Sequence, residues 1–469
     1  MAEPATRESE PERPRRSSEI GPIASLAFPV VLTQLGMMSM GLVDLFMVGR
    51  LGKDEAGNEI LAGVALGDIW VFGTSVIAMG IVMGLDPIVS QAHGAGDGAR
   101  IGRSLQRGLV LATVLGAINW WGLAFAERAA VALHQDPELA AIGQRYCSVQ
   151  GWSLPAFLWF TALRQYLQGR GLMRPALWTI LIANLFNVAA NEVLIFGRLG
   201  FDAMGVEGAG IATGLTRVIM FGGLLGWILL FRLHRGAWVP VRRETFHLRG
   251  FSEIFRFGIP VGFQIGAEVW AFQAASLFAG QISDAVLAAH VITLKIASTS
   301  FMVPLGIGAA AATRVGNLLG EGRRTQAWVA AWTAVRLGGL VMLISGVTSV
   351  LFRHELGRAF TSDPILLGMI ATALPVAAAF QVFDGIQVAA AGALRGAGRT
   401  LITGIAFLVG FYAIALPTGK ALSKTMGLPG IWWGLCLGLG LVAVTLLWDL
   451  WRVSRRENRE ETAATSVRS

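Results

Sequence analysis

Residues 28–49 read FPVVLTQLGMMSMGLVDLFMVG, a run in which Asp44 is the only charged side chain. A stretch of this length and apolarity crosses a bilayer core as a helix. Burying a carboxylate there costs about 3 kcal/mol on insertion scales and more by other estimates. Asp44 therefore needs a role that offsets the cost, and its surroundings point to that role.

Outward from this run the pattern repeats along the whole chain. Twelve apolar stretches stand at 21–49, 60–84, 104–127, 141–163, 176–198, 207–232, 253–282, 286–312, 326–352, 365–393, 400–419 and 429–451. Continuous runs of this kind predict α-helices, because a membrane β-barrel would show short alternating segments and backbone in lipid has no third solution. With 54 % hydrophobic and 14 % charged residues, the chain is too apolar for a soluble globular protein and reads as all-α membrane protein. Its 59 glycines suit helices that pack through small contacts.

The net charge of +8 suggests an acidic partner, but its distribution gives a different answer. Placing the N-terminus inside puts Arg100, Arg103, Arg107, Arg164, Arg170, Arg174, Arg235, Arg242, Arg243, Arg249, Arg323, Arg324, Arg395 and Arg399 in inner loops. The outer loops keep only Arg50, Lys53, Arg128, Arg198, Arg353, Arg358, Lys420 and Lys424. By the positive-inside rule both termini are cytoplasmic, the partner is the lipid bilayer, and nucleic acid is not called for. Residues 1–18, charged and proline-bearing, predict a disordered tail, and those after Trp451 are similar. No cleavable signal is expected, since no apolar stretch follows the first Met directly. Cys147 and Cys436 fall inside spans, which favours packing over a disulfide.

The halves of the chain resemble each other at an offset of about 225 residues. FPVVLTQL from Phe28 corresponds to GIPVGFQI from Gly258, LAGVALG from Leu61 to LAAHVIT from Leu287, LQGRG from Leu167 to LRGAG from Leu394, and GVEGAGI from Gly205 to GLPGIWW from Gly427. Twelve helices thus divide into two sixes that enter the membrane in the same sense, related by a pseudo-two-fold axis along the membrane normal. The expected organisation is an N-lobe over 19–232, a basic cytoplasmic linker over 233–252, a C-lobe over 253–451 and a C-terminal tail over 452–469.

At 1.5 Å per residue, Asp44, Asp68, Asn187, Asn191 and Thr213 come to similar depth in the outer half of the N-lobe. Asn187 and Asn191, four apart, share a helix face. Carboxylate, amide and hydroxyl oxygens are what a hard cation needs, and a desolvated carboxylate also takes a proton readily, so Asp44 is a candidate coupling-ion residue with Na⁺ or H⁺ as the ion. The plain alternative is that the amides only join helices. In the C-lobe, Glu268 in GFQIGAEVWAF and Asp384 in AFQVFDGIQ lie well inside the bilayer. Lys295 is also interior, a candidate partner for one of them or half of a structural ion pair.

Motifs for chemistry fail. RHELGRAF from Arg353 has Arg358 where a zinc-protease signature needs its second His, and GAGDGAR from Gly94 lacks a P-loop Lys. No catalytic set and no cofactor is expected, so an ion gradient is the simplest energy source.

At these residues the chain resembles the multidrug and toxic compound extrusion (MATE) family, in its NorM-like branch. The likeness rests on FPVVLTQL, VDLFMVGRLG, PIVSQAHGAGD, RQYLQGRGLMRP, NLFNVAANEVLIFG, GVEGAGIATG, FMVPLGIGAAAATRVGNLLGEG and GALRGAG, and covers nearly all of residues 20–450. It implies two six-helix bundles forming a V in a bacterial inner membrane, working as a monomer and exchanging Na⁺ or H⁺ for small organic cations. It further implies that Asp44, Asn187, Asn191 and Thr213 form the N-lobe ion site, able to hold Na⁺, and that Glu268 and Asp384 are the C-lobe acidic pair; Asp68 and Lys295 remain secondary candidates. The rival reading from the wider superfamily is a flippase for lipid-linked precursors, which would need cavity Arg or Lys for pyrophosphate.

Overall fold

The computed structural model describes residues 19–50 and 55–466, so the tail at 1–18 lies outside the described part. In chain order the helices are α1 (Ile20–Val48), α2 (Glu55–Val82), α3 (Leu85–Gly94), α4 (Gly98–Leu123), α5 (Ala126–Ala132), α6 (Pro137–Gly151), α7 (Leu154–Gly169), α8 (Arg174–Phe196) and α9 (Gly205–Leu230). After a 3-10 turn at Arg243–Phe246 come α10 (Leu248–Ile282), α11 (Asp284–Gly320), α12 (Arg324–Leu351), α13 (Arg353–Arg358), α14 (Pro364–Gly396), α15 (Thr400–Leu408), α16 (Leu416–Met426) and α17 (Leu428–Ser466), with a π-helical stretch Val409–Ala415 joining α15 to α16. Among the described residues there is no strand.

The twelve expected passages map onto these helices, though not one to one. Among the described residues nine helices are long and apolar enough to cross a membrane, and α4 with α5, bent by 54°, makes a tenth. The two others are α10, whose first turns are polar, and the passage expected at 141–163, which breaks into α6 and α7 at Trp152 and Ser153. The break follows from Pro155 at the start of α7, where the missing N–H costs nothing.

Two stretches are more ordered than their composition suggests. The linker over 233–252 is folded onto α4: Gln106 donates to the carbonyl of Val239 at 2.6 Å, Arg107 donates to that of Thr245 at 2.7 Å, and Thr245 is 1 % exposed. Helix α10 starts within it, at Leu248. The tail after Trp451 is helical to Ser466, because a helix already nucleated in the membrane propagates cheaply through the Arg, Glu and Ala residues that follow.

Close backbone approach organises both lobes. In the C-lobe α14 packs against α11, α12 and α17. A Cβ on Gly392 would lie 2.1 Å from the carbonyl oxygen of Gly308, so the α11–α14 contact exists only because both residues are glycine. Between lobes, α2 lies along α10 and α1 along α11. There a Cβ on Gly80 would meet the Gly262 backbone at 2.4 Å.

The lobes are bolted at one end, where α3, α7, α11 and α14 finish. Gln91 donates to the carbonyl of Gly396 at 2.9 Å, and Asn317, its amide oriented to serve both acceptors, donates to the carbonyls of Gly169 and Ser90 at 3.0 and 2.8 Å. Gln91 corresponds to Asn317, and Gly169 to Gly396, at the offset of about 225 residues. These bonds are therefore the two symmetry-related copies of one contact. Beside them Asp86, fully buried, accepts from Arg395 at 3.2 Å and from Gln168 at 3.5 Å, and Thr313 donates to the carbonyl of Gln168 at 3.2 Å. At the start of α1, Glu19 accepts from Arg314 at 2.9 and 3.0 Å and from Gln326 at 2.8 Å.

Gly392→Val should abolish a cooperative thermal transition in detergent, since overpacking a closed backbone contact costs about 1–3 kcal/mol or more, whereas Gly222→Ala, with nothing within 4 Å of its Cβ position, should leave the midpoint unchanged. Burial alone would raise the Glu19 pKa, but the hydrogen bonds from Arg314 and Gln326 and the Arg314 charge outweigh it and hold the carboxyl below its ordinary value. The stability from this group is thus complete above the ordinary carboxylate range and is lost as pH falls through the lowered value. Glu19→Gln should lower the melting temperature at neutral pH, with the gap to the parent closing in acid.

Candidate functional site

The N-lobe site is assembled from three helices. Gly36 brings α1 against α8 near Ile180, and Asn184 donates to the Gly36 carbonyl at 2.8 Å. Two turns further along α1 stands Asp44, opposite Asn191 two turns further along α8. One Asp44 oxygen accepts from the Asn191 amide and the other from the Thr213 hydroxyl of α9, both at 2.5 Å. The Asn191 amide also reaches the Asn187 oxygen at 3.3 Å.

Asp44 is 6 % exposed, Thr213 5 %, and both asparagines are fully buried. The four residues grouped from the sequence are thus brought together. Two polar atoms remain without a partner, the Asn187 Nδ2 and the Asn191 Oδ1. An unsatisfied buried oxygen next to a carboxylate is a place where a small cation gains a ligand. Among the described residues no three His, Cys, Asp or Glu side chains converge on a metal position, so any cation here is held by one carboxylate with amide and hydroxyl oxygens.

Asp68, on α2, is exposed, and its charge interacts with those of Arg217 and Asp44 from the N-lobe and Lys295 from the C-lobe. A carboxylate that feels charges from both lobes faces the space between them. Among the described residues it makes no hydrogen bond or ion pair, whereas Arg217 donates to the Ser153 hydroxyl at 3.2 Å and lies over the Phe157 ring. Lys295, expected to pair with Glu268 or Asp384, is instead acted on by the charge of Asp68. The reason is directional: Lys295 leaves α11 toward the interlobe space, while Asp384 points into the C-lobe and is 4 % exposed.

In the C-lobe Asp384 of α14 accepts from Gln387 at 2.9 Å, and its charge acts on Glu268 of α10. Their shared surroundings include the Phe272–Phe380 and Phe380–Trp432 edge contacts, at 5.8 and 5.7 Å. The π-helical stretch matters here because it delivers Phe411 to Phe272, at 6.1 Å. Trp70 of α2 and Trp270 of α10, two residues beyond Asp68 and Glu268, meet across the lobes at 6.0 Å.

Sequence reading missed three buried polar groups. Asp86 sits at the α2–α3 break and Asp449 near the end of the apolar stretch of α17, positions where charge reads as boundary. His290, fully buried on α11 with both ring nitrogens unpartnered and Trp432 at 5.7 Å, carries no sequence signal beyond its apolar neighbours.

Comparison with known proteins gives this geometry a context. The MatE family profile matches twice, at residues 29–193 and 260–419, once in each lobe. A probable multidrug resistance protein NorM of Mesorhizobium japonicum is 36 % identical over 92 % of this chain and 93 % of its own. The multidrug resistance protein PmpM of Pseudomonas aeruginosa is 31 % identical over 97 % of both. Among solved structures, the eukaryotic MATE transporter AtDTX14 superposes with a TM-score of 0.86 at 23 % identity, over 95 % of this chain and 99 % of that one. An outward-facing multidrug resistance MATE transporter superposes at 0.84, over 93 % and 96 %. The twofold profile match and the full-length identity place this twelve-passage chain in the MatE family, beside its NorM and PmpM members.

Proposed function

We propose that the protein is a secondary multidrug antiporter of a bacterial inner membrane, exporting small organic cations in exchange for Na⁺ or H⁺ bound at Asp44. The observation that carries this reading is Asp44 itself: a buried carboxylate whose hydrogen-bond partners, Asn191 and Thr213, are both neutral. Low dielectric makes a carboxylate whose hydrogen-bond partners are all neutral costly even with the Arg217 charge acting on it, so it gains from a proton or a metal cation brought from solution. Both termini lie on the cytoplasmic side, where arginine is concentrated in the sequence, and the bolted end of the lobes then faces the cytoplasm. The protein works as a single chain, without a resident cofactor.

Transport follows as alternation between this form and one with the bolt undone. Ion and substrate drive it only as far as each prefers one form. Undoing the bolt requires Asp86, Arg395, Gln91 and Asn317 to give up their partners, and the lost bonds set the resting preference. Glu268, Asp384 and Asp68 supply negative charge for the organic cation, and the Trp70 and Trp270 faces supply stacking surface.

A second reading, a flippase for pyrophosphate-linked lipids, draws on Lys295, which has no ion-pair partner within the described residues. It is the weaker one, because Asp68 and Asp44 contribute opposing charge to the same region.

In proteoliposomes, ethidium movement under an imposed Na⁺ or proton gradient should be lost in Asp44→Asn, and the gradient that drives the parent identifies the ion; no ethidium movement under either would sink the cation-export reading and favour the flippase. Asp86→Asn should shift the equilibrium toward the cytoplasm-open form about tenfold or more, as expected for losing a hydrogen bond to a charged group. Spin-label distances between Ala95 and Glu321, exposed at that end of the N-lobe and the C-lobe, report that shift.

A further inference from the structure

The unexpected helical extension of α17 carries a feature unused by ion or substrate. Past the apolar span, Trp448, Trp451, Arg452, Arg455 and Arg459 recur at spacings of three and four, which places them on one face. The indoles are 52 % and 43 % exposed, and the three arginines are exposed. On the opposite face Leu450 is fully buried and Asp449 is held by Arg399 at 2.7 and 3.0 Å. Glu457 also lies toward Arg399. The helix thus turns its acidic groups to the protein and its basic ones away.

Depth identifies what the basic face meets. Exposed Trp marks the membrane interface. Measured from Trp448 along the helix, Arg452, Arg455 and Arg459 are about 6, 10 and 16 Å further out. Helical side chains lean toward the N-terminus, here back toward the bilayer. Arg452 accordingly lies over the Trp448 ring at 5.5 Å and Arg455 over the Trp451 ring at 4.3 Å. With Arg456 and Trp451 they line an open hollow on the surface of the helix. A guanidinium held over an interfacial indole sits in the layer of lipid phosphates, and its fork matches a phosphate's oxygens. Among the described residues neither Arg452 nor Arg455 has a carboxylate partner.

We infer that this tryptophan–arginine stripe is a binding site for the headgroup phosphate of anionic phospholipids in the leaflet that α17 leaves. The indoles rest against the glycerol and upper acyl region, Arg452 and Arg455 take the phosphate, and Arg459 adds field from beyond the headgroups. The site fixes the depth of α17, and through Asp449 and Arg399 that of α15, while the lobes move.

The test uses the full chain in mild detergent with an equimolar mixture of phosphatidylglycerol and phosphatidylcholine, the retained lipids being counted by native mass spectrometry. Phosphatidylglycerol should be preferred, with the preference falling about fivefold for each arginine lost in R452Q, R455Q and R459Q. The triple lysine variant keeps the charges but not the forks, and should fall between the parent and the triple glutamine variant. Excess inorganic phosphate should leave bound phosphatidylglycerol in place. An unchanged preference in the triple glutamine variant, an equal loss in the lysine variant, or full displacement by inorganic phosphate would each overturn the assignment. None of these residues touches the Asp44 site, so ethidium transport by the same variants separates failure of this site from failure of the antiport reading.

Discussion

A carboxylate removed from water must find compensation, and the whole molecule is arranged around how each buried acid finds it. Glu19, Asp86 and Asp449 meet arginines, Arg314, Arg395 and Arg399, at 2.7 to 3.2 Å. Each of these pairs ties together parts that are distant in sequence. Asp44 meets amide and hydroxyl, and Asp384 meets a glutamine amide. Neutral donors satisfy lone pairs without cancelling charge. The acids therefore sort into a group ion-paired to arginine and a group hydrogen-bonded to neutral side chains, and the second group contains the candidate ion-coupling residue.

The internal repeat explains why the two groups occupy different places. Contacts made by the backbone and by amides are duplicated by the pseudo-two-fold axis, as Gln91 and Asn317 demonstrate at the bolted end. The charged residues break that symmetry. Arg395 corresponds to Gln168, so only one of the two crossing contacts is an ion pair, and with Pro29 set on Pro260 the residue corresponding to Asp44 is Ala275, buried on α10. Symmetry thus provides the hinged frame and departures from it provide direction.

Much of this was legible in the sequence, for reasons that also mark its limits. Helices in lipid satisfy their own backbone, so apolar run length alone located the passages, and a residue spacing of four sufficed to put Asn187 and Asn191 beside each other. The meeting of α1, α8 and α9 at Asp44 depended only on depth, which a fixed rise per residue supplies. What spacing does not supply is azimuth across helices. Lys295 was near enough in depth to Glu268, yet it leaves its helix toward Asp68. The folded linker and the extension of α17 were hidden for a different reason: polar helix and polar loop have similar composition, and only packing, as of Thr245 on α4, distinguishes them.

Helix α1 is the element that joins the Asp44 cluster of the N-lobe to the C-lobe. Its first turn is clamped to the C-lobe by Glu19 on Arg314, and Val31 lies against Gly306 of α11. Its last turns hold Asp44 among N-lobe partners. Between the clamp and the site Pro29 removes one backbone hydrogen bond, which makes this the compliant part of the helix. Under the antiport reading proposed above, a cation bound at Asp44 would act on the outer turns of α1, while the inner turn is held to the C-lobe, so one helix would couple the ion site to the bolt without contributing a residue to it.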